Sequence, residues 1–144
     1  MKDIFFLLLL ALQLCIPHVI YIKDCSDLQN MVVNKSLVIY KLNNSLDCHD
    51  FEFEPIGNET NSFKGKFDGQ GFSISNLFIH SSEDYTAIFA SGENCIFKNV
   101  IFSDVSVSCK KNNVGLIFGS LKQCIVSDVH ITSTLNRINT ISGG

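Results

Sequence analysis

Three stretches of this 144-residue chain repeat one pattern, and the pattern is incompatible with a helix. Set Asn76, Asn99 and Asp128 in register. Four residues earlier stand Phe72, Cys95 and Cys124, and two earlier stand Ile74, Phe97 and Val126. One later come Leu77, Val100 and Val129, and three later Ile79, Phe102 and Ile131. Apolar residues recur at every second position and change parity at the Asn or Asp. A helix would return them every three or four. The parity change is what two strands either side of a bend need if both are to point apolar side chains inward. Asn and Asp suit such a bend because they tolerate left-handed backbone and bond their own main chain. The last two copies also match without gaps at an offset of 29: IFAS at 88 to 91 faces IFGS at 117 to 120, and Cys95-Ile96 faces Cys124-Ile125. Strand-built repeats of about 20 to 30 residues predict a solenoid, each coil burying its neighbour's open face.

The stretch FKGKFDGQGFSISNLFI at 63 to 79 supplies the turn that feeds these rungs. Asp68, Gly69 and Gly71 read as turn residues able to adopt positive φ, aiming Phe72, Ile74, Leu77 and Ile79 inward. An Asp-Gly hairpin inside a sandwich explains residues 63 to 74 equally well, but it does not explain three copies of the corner. Upstream, CSDLQNM at 25 to 31 signals a short helix, with Ser26 as cap and Gln29 three residues on. Leu37 to Leu42 reads as a strand, Asn43-Asn44-Ser45 as a turn, and Phe51 to Glu54 as a second strand ended by Pro55 and Gly57.

Pro55-Ile56-Gly57, the FDGQG turn, the glycine-flanked IF segments and the Asn-Val rungs together resemble GLUG-type repeats, found in right-handed parallel β-helices of the pectin-lyase-like architecture. DCSDLQNM followed by VIYKLNNSLDC is similar to the region that precedes such repeats, where a short helix caps the first coil. The likeness runs from about residue 24 to residue 132. It departs at Ala87-Ile88-Phe89-Ala90, which lacks the family's glycines. The resemblance implies an all-β, right-handed parallel β-helix with a short N-terminal capping helix. The repeat it implies is not a catalytic unit, and proteins that carry it are commonly large and secreted or surface-exposed. The expected organisation is a signal peptide over 1–20, a cap helix and lead-in strands over 24–62, and repeat coils over 63–144. Gly144 lies 29 residues beyond Gly115, so a C-terminally incomplete solenoid is expected.

Export is written in several features. Ile4 to Leu14 is an apolar run of signal-peptide length behind Lys2, and Pro17 and His18 interrupt the 20 or so apolar residues a membrane span needs. Removal is expected, an uncleaved anchor being the alternative. Asn34, Asn43 and Asn58 head glycosylation sequons. The mature chain keeps five cysteines, an odd number. Cys25 and Cys48 are expected to bridge, tying the cap to the lead-in strands. Cys95 and Cys124 share one inward column, where stacked thiols and a disulfide are both compatible with strand spacing.

The sequence argues against most chemistry. A net charge of −3 gives no reason to expect nucleic acid as a partner. A lyase needs acidic calcium ligands and a basic residue, yet the one arginine is Arg137. A glycoside hydrolase needs paired carboxylates. Asp68, Asp104 and Asp128 are the candidates, but Asp68 is a turn residue and Asp128 stands where another copy has Asn. The four histidines and the cysteines show no metal spacing, and the many phenylalanines, Phe72 and Phe78 among them, read as a core stack. No catalytic residue, metal or cofactor is expected. The expected role is a secreted or cell-surface scaffold, structural or adhesive, with an extracellular glycan or protein ligand. The alternative is the non-catalytic N-terminal part of a larger polysaccharide-acting enzyme or peptidase. Membrane contact would come only through a retained signal segment or a further C-terminal region.

Overall fold

The computed structural model describes residues 2–13, 16–132 and 137–140, with only the backbone at 13 and at 137–140. Among these residues two helices, α1 (Lys2–Gln13) and α2 (Cys25–Gln29), accompany twelve strands. These are β1 (His18–Ile22), β2 (Val38–Leu42), β3 (Leu46–Asp47), β4 (Lys66–Asp68), β5 (Ser73–Ser75) and β6 (Phe78–Ser81), followed by β7 (Phe89–Glu93), β8 (Ile96–Ser103), β9 (Ser106–Cys109), β10 (Phe118–Lys122), β11 (Ile125–Thr132) and β12 (Arg137–Thr140). Every strand pairing is parallel. The chain is a parallel β-solenoid of about three turns, as the repeat predicts.

Three lateral faces define the coil. The first is long and bent: β1, β2, β4, the front of β8 and then β11 stack in one ladder, while β3, β5, the back of β8 and the end of β11 stack in the next. The second face carries β6, β9 and β12, and Phe53 bridges to it below Ile79. The third carries β7 and β10, with Ile56 and Phe63 bridging to β7 from below. The lead-in strands therefore already form a coil of the solenoid. Phe51 to Glu54 contributes the single bridge at Phe53 where a strand was expected.

Inward side chains pile into columns because parallel rungs repeat about every 4.8 Å. Ile20, Tyr40, Phe67, Phe97 and Val126 occupy one column. Leu46, Ile74, Phe102 and Ile131 occupy another. The Phe67 and Phe97 rings stack at 4.5 Å and 9°, while Phe118 meets Phe97 edge-on at 5.0 Å. Burying one such ring contributes roughly 2 to 3 kcal/mol. Val126 and Ile131 keep the inward register but are 43% and 49% exposed, since among the described residues no coil lies over them.

The corners are made by left-handed residues. Asn76, Asn99 and Asp128 have φ of 57°, 55° and 52°, as expected for rung corners, and Asn94, Asp104, Asn113 and Gln123 join them. The register expected from sequence needs correction, however. Asp128 stands over Asn99, but Asn76 stands beneath Asp104: Ser75 pairs with Ser103, and Ile74 lies under Phe102 and not under Phe97. The cause is a local insertion. Between paired Asp68 and Lys98 and paired Ser73 and Ile101, the lower coil has four residues where the upper has two. The extra residues bulge outward, and Phe72 is exposed and not a rung residue.

The cap and the leading segment also differ from expectation. Asp24, and not Ser26, caps α2, accepting from the Asp27 N–H at 2.8 Å. Gln29 does not turn back to close a capping box. Its amide holds Glu54 instead, donating to the Glu54 carbonyl at 3.1 Å and accepting from the Glu54 N–H at 2.8 Å. Residues His18 to Ile20, inside the segment expected to be leader, belong to β1. No helix among the described residues is long and apolar enough to cross a membrane.

Candidate functional site

The bulged turn builds a cleft on the outer surface of the long face. Asp68 ends β4 and accepts from the Gln70 N–H at 3.0 Å and from the Asn99 side chain at 3.2 Å, with Lys98 3.5 Å away. Burial alone would raise its pKa, but these three partners together hold the carboxyl below its ordinary value. It therefore stays ionised and acts as an acceptor; nothing favours its serving as a proton donor. Gln70, at φ 51°, anchors the turn by donating to the Leu42 carbonyl at 2.7 Å. Gly69 is needed for a different reason from the expected one: its φ is not positive, but a Cβ there would lie 2.5 Å from the Asn99 carbonyl oxygen. Gly71 does take positive φ, at 80°.

Asn99, Val100, Ile101, Asp128 and His130 form the rest of this cleft, whose volume is about 650 Å³. Two of the three carboxylates singled out in the sequence, Asp68 and Asp128, thus share one groove two rungs apart. Asp104 does not join them, because it stacks over Asn76 at the next corner.

A second cleft system runs along the face built on β6. Two hollows of about 370 Å³ each meet at Glu54 and His80. One includes Glu52 and Phe78, the other Asn58, Glu83, Asp84 and Tyr85. Phe78 is 52% exposed, which corrects its expected place in the core. Leu77 and Ile79 on either side point inward, and strand alternation forces the residue between them outward. Its ring offers a flat apolar surface among carboxylates and an imidazole. The Gln29 clamp on Glu54 makes α2 part of this wall.

The five described cysteines settle into two bridges and a thiol. Cys25 joins Cys48 with Cα atoms 5.8 Å apart, so the cap helix is stapled to the chain just after β3. Cys95 and Cys124, equivalent residues on successive coils, are also joined, with Cα atoms 4.5 Å apart. Cys109 is buried and free, and its thiol donates to the Glu83 carbonyl at 3.1 Å. Asn34, Asn43 and Asn58 are all exposed. Asn58 sits in a tight turn after Gly57, its side-chain oxygen accepting from the Thr60 N–H, the Thr60 hydroxyl and the Asn61 N–H at 2.8 to 3.0 Å. The backbone of Arg137 lies on β12, paired to β9 at Ser106.

No protein-family model and no solved structure matches the chain. Among curated proteins it is similar to halomucin of Haloquadratum walsbyi, at 34% identity over 96 residues. The match takes in 63% of this chain and 1% of that protein, so the chain spans a very small part of its relative.

Proposed function

We propose that this chain is a secreted or cell-surface β-helix that serves as a structural or adhesive scaffold, with an extracellular glycan or protein as ligand and no catalysis of its own. The observation that carries the proposal is the exposed ring of Phe78 beside Glu52, Glu54 and His80 on a rigid lateral face. An apolar ring can pack against the C–H face of a sugar while neighbouring carboxylate oxygens accept from its hydroxyls. Two disulfides fit an oxidising compartment, and the similarity to a protein called a mucin agrees with a surface setting. The GLUG-type resemblance points the same way.

The test is binding of the oxidised, folded chain to glycan and matrix-protein arrays. Retained ligands should be lost with Phe78→Ala and with Glu54→Gln, while far-UV circular dichroism stays unchanged. Absence of any retained ligand, or binding indifferent to both substitutions, removes the adhesive reading. Release of new reducing or unsaturated sugar ends from polysaccharide would move the chain to the enzyme class.

A further inference from the structure

We propose that α1 is a leader removed ahead of His18, so that β1 is the amino-terminal strand of the mature protein; this rests on the secretory reading above. The inference comes from an abrupt change along the chain. Every large apolar side chain described on α1 is about half exposed or more, so the helix adds nothing to the solenoid core. Its twelve residues rise about 18 Å, well short of the roughly 30 Å a membrane-spanning helix must cover. As an anchor α1 is too short, and as a packed element it has no partner among the coils.

Five residues beyond the end of α1 the chain is fully integrated. All five residues of β1 pair in parallel with β2. The His18 N–H donates to the Leu37 carbonyl at 2.8 Å, and the Ile22 carbonyl accepts from the Asn43 N–H at 3.0 Å. Ile20 sits in the column below Tyr40, and Ile22 is 1% exposed within the core. Cleavage inside β1 would strip the edge from β2 and bare Tyr40 and Leu42. The scissile bond is thereby confined to the stretch between the end of α1 and His18, upstream of the expected boundary at residue 20. Pro17 suits the first position before a strand, where no ladder N–H is required of it.

The full chain is to be expressed in a secreting eukaryotic cell line, and the amino terminus of the product read by Edman degradation and intact mass. A product in the medium that starts between residues 14 and 18 is expected. Retention of Met1 on an exported product, or a folded product starting at Val19 or later, overturns the proposal and leaves export standing. A product held in the cytosol with Met1 in place sinks both. A second measurement uses two chains behind one unrelated leader, starting at Ile16 and at Tyr21. The shorter should melt at least about 5 °C lower, and equal melting temperatures would overturn the role given to β1.

Discussion

Gly69 and Gly71 lie two residues apart in the same turn, yet the structure gives them different reasons to be glycine, and the difference can be measured. A Cβ on Gly69 would lie 2.5 Å from both the Asn99 carbonyl oxygen and Val100 Cβ, and 2.8 Å from Val100 Cα. Carbon atoms in contact prefer about 3.5 to 4.0 Å, so the two coils must part locally by about 1 Å. The Gly69 N–H to Lys98 carbonyl bond, now 2.9 Å, and the Gly71 N–H to Asn99 carbonyl bond, now 2.8 Å, then stretch beyond useful range. Losing two such bonds costs about 2 kcal/mol, and overpacking adds roughly 1 to 3. Gly69→Ala should therefore cost about 3 to 5 kcal/mol. At Gly71 nothing lies within 4 Å of an added Cβ, and the whole effect is the left-handed backbone at φ 80°. That is about 1 to 2 kcal/mol, offset in part by a stiffer unfolded chain. Urea unfolding of the oxidised chain, followed by far-UV circular dichroism, separates the two. Asn substitutions sharpen the contrast: Gly71→Asn should recover most of the Ala loss, whereas Gly69→Asn should be worse than Gly69→Ala. Equal losses at the two positions would refute the close-approach argument.

Other expectations follow from the columns, the bridges and the carboxylates. Phe97→Ala should lower stability by about 4 kcal/mol and Phe72→Ala by less than about 1, because the first ring is fully buried and the second faces outward; urea midpoints check this. A non-reduced digest should yield the Cys25–Cys48 and Cys95–Cys124 linked peptides, with Cys109 alkylated only after denaturation. Replacing both Cys25 and Cys48 by Ser, which opens a link spanning 23 residues, should cost about 3 kcal/mol. Three carboxyls sit below their ordinary values in the fold: Asp47 chiefly through the Asn76 amide, Glu93 chiefly through Lys122 and then Lys64, and Asp68 despite its burial. Since their folded pKa values are depressed, the unfolded chain takes up protons first. Their contribution is complete above about pH 5 and is lost as pH falls through 4 and below. Urea midpoints measured against pH should show that decline, and Asp68→Asn should flatten it.

The architecture was legible because parallel coils demand it twice over, once in the spacing of apolar residues and once in the corner residues. Phe97 over Phe67, Val126 over Phe97, and the shared column of Cys95 and Cys124 all follow from strict alternation. The sequence misled where the chain departs from a fixed repeat. Asn76 has the same neighbours in sequence as Asn99, apolar residues two before and one after, and only three-dimensional pairing shows that it belongs to a different corner. Both corners impose the same parity change, so local pattern cannot tell them apart. Phe78 was readable and missed: three apolar residues in succession, Leu77, Phe78 and Ile79, cannot all face one side of a strand. The Gln29 clamp on Glu54 left no local trace, since it joins residues 25 apart through an exposed amide.

The residues that broke the register are also those that make the first cleft. Asp68 and Lys98 remain paired on one side of the insertion, as do Ser73 and Ile101 on the other, so the core columns of Phe67 and Ile74 continue undisturbed. Only the turn between them swells, and the Gln70 bond to the Leu42 carbonyl and the Gly71 bond to the Asn99 carbonyl hold it against the coils below and above. A solenoid whose stability lies in inward columns can lengthen a corner at little cost, because doubling a loop from two residues to four adds only about 0.6 kcal/mol of closure entropy. Outer surface is thus free to vary while the shaft is fixed. Cleft residues such as Asp68, Gln70 and His130 therefore lie outside the packing that fixes Phe67, Phe97 and Ile74. Deleting Gln70 and Gly71 together should close the cleft and cost about 2 kcal/mol, for the Gln70–Leu42 and Gly71–Asn99 bonds lost, while the cooperative unfolding transition remains. Collapse of the fold on that deletion would show that the bulge is part of the shaft and not an addition to it.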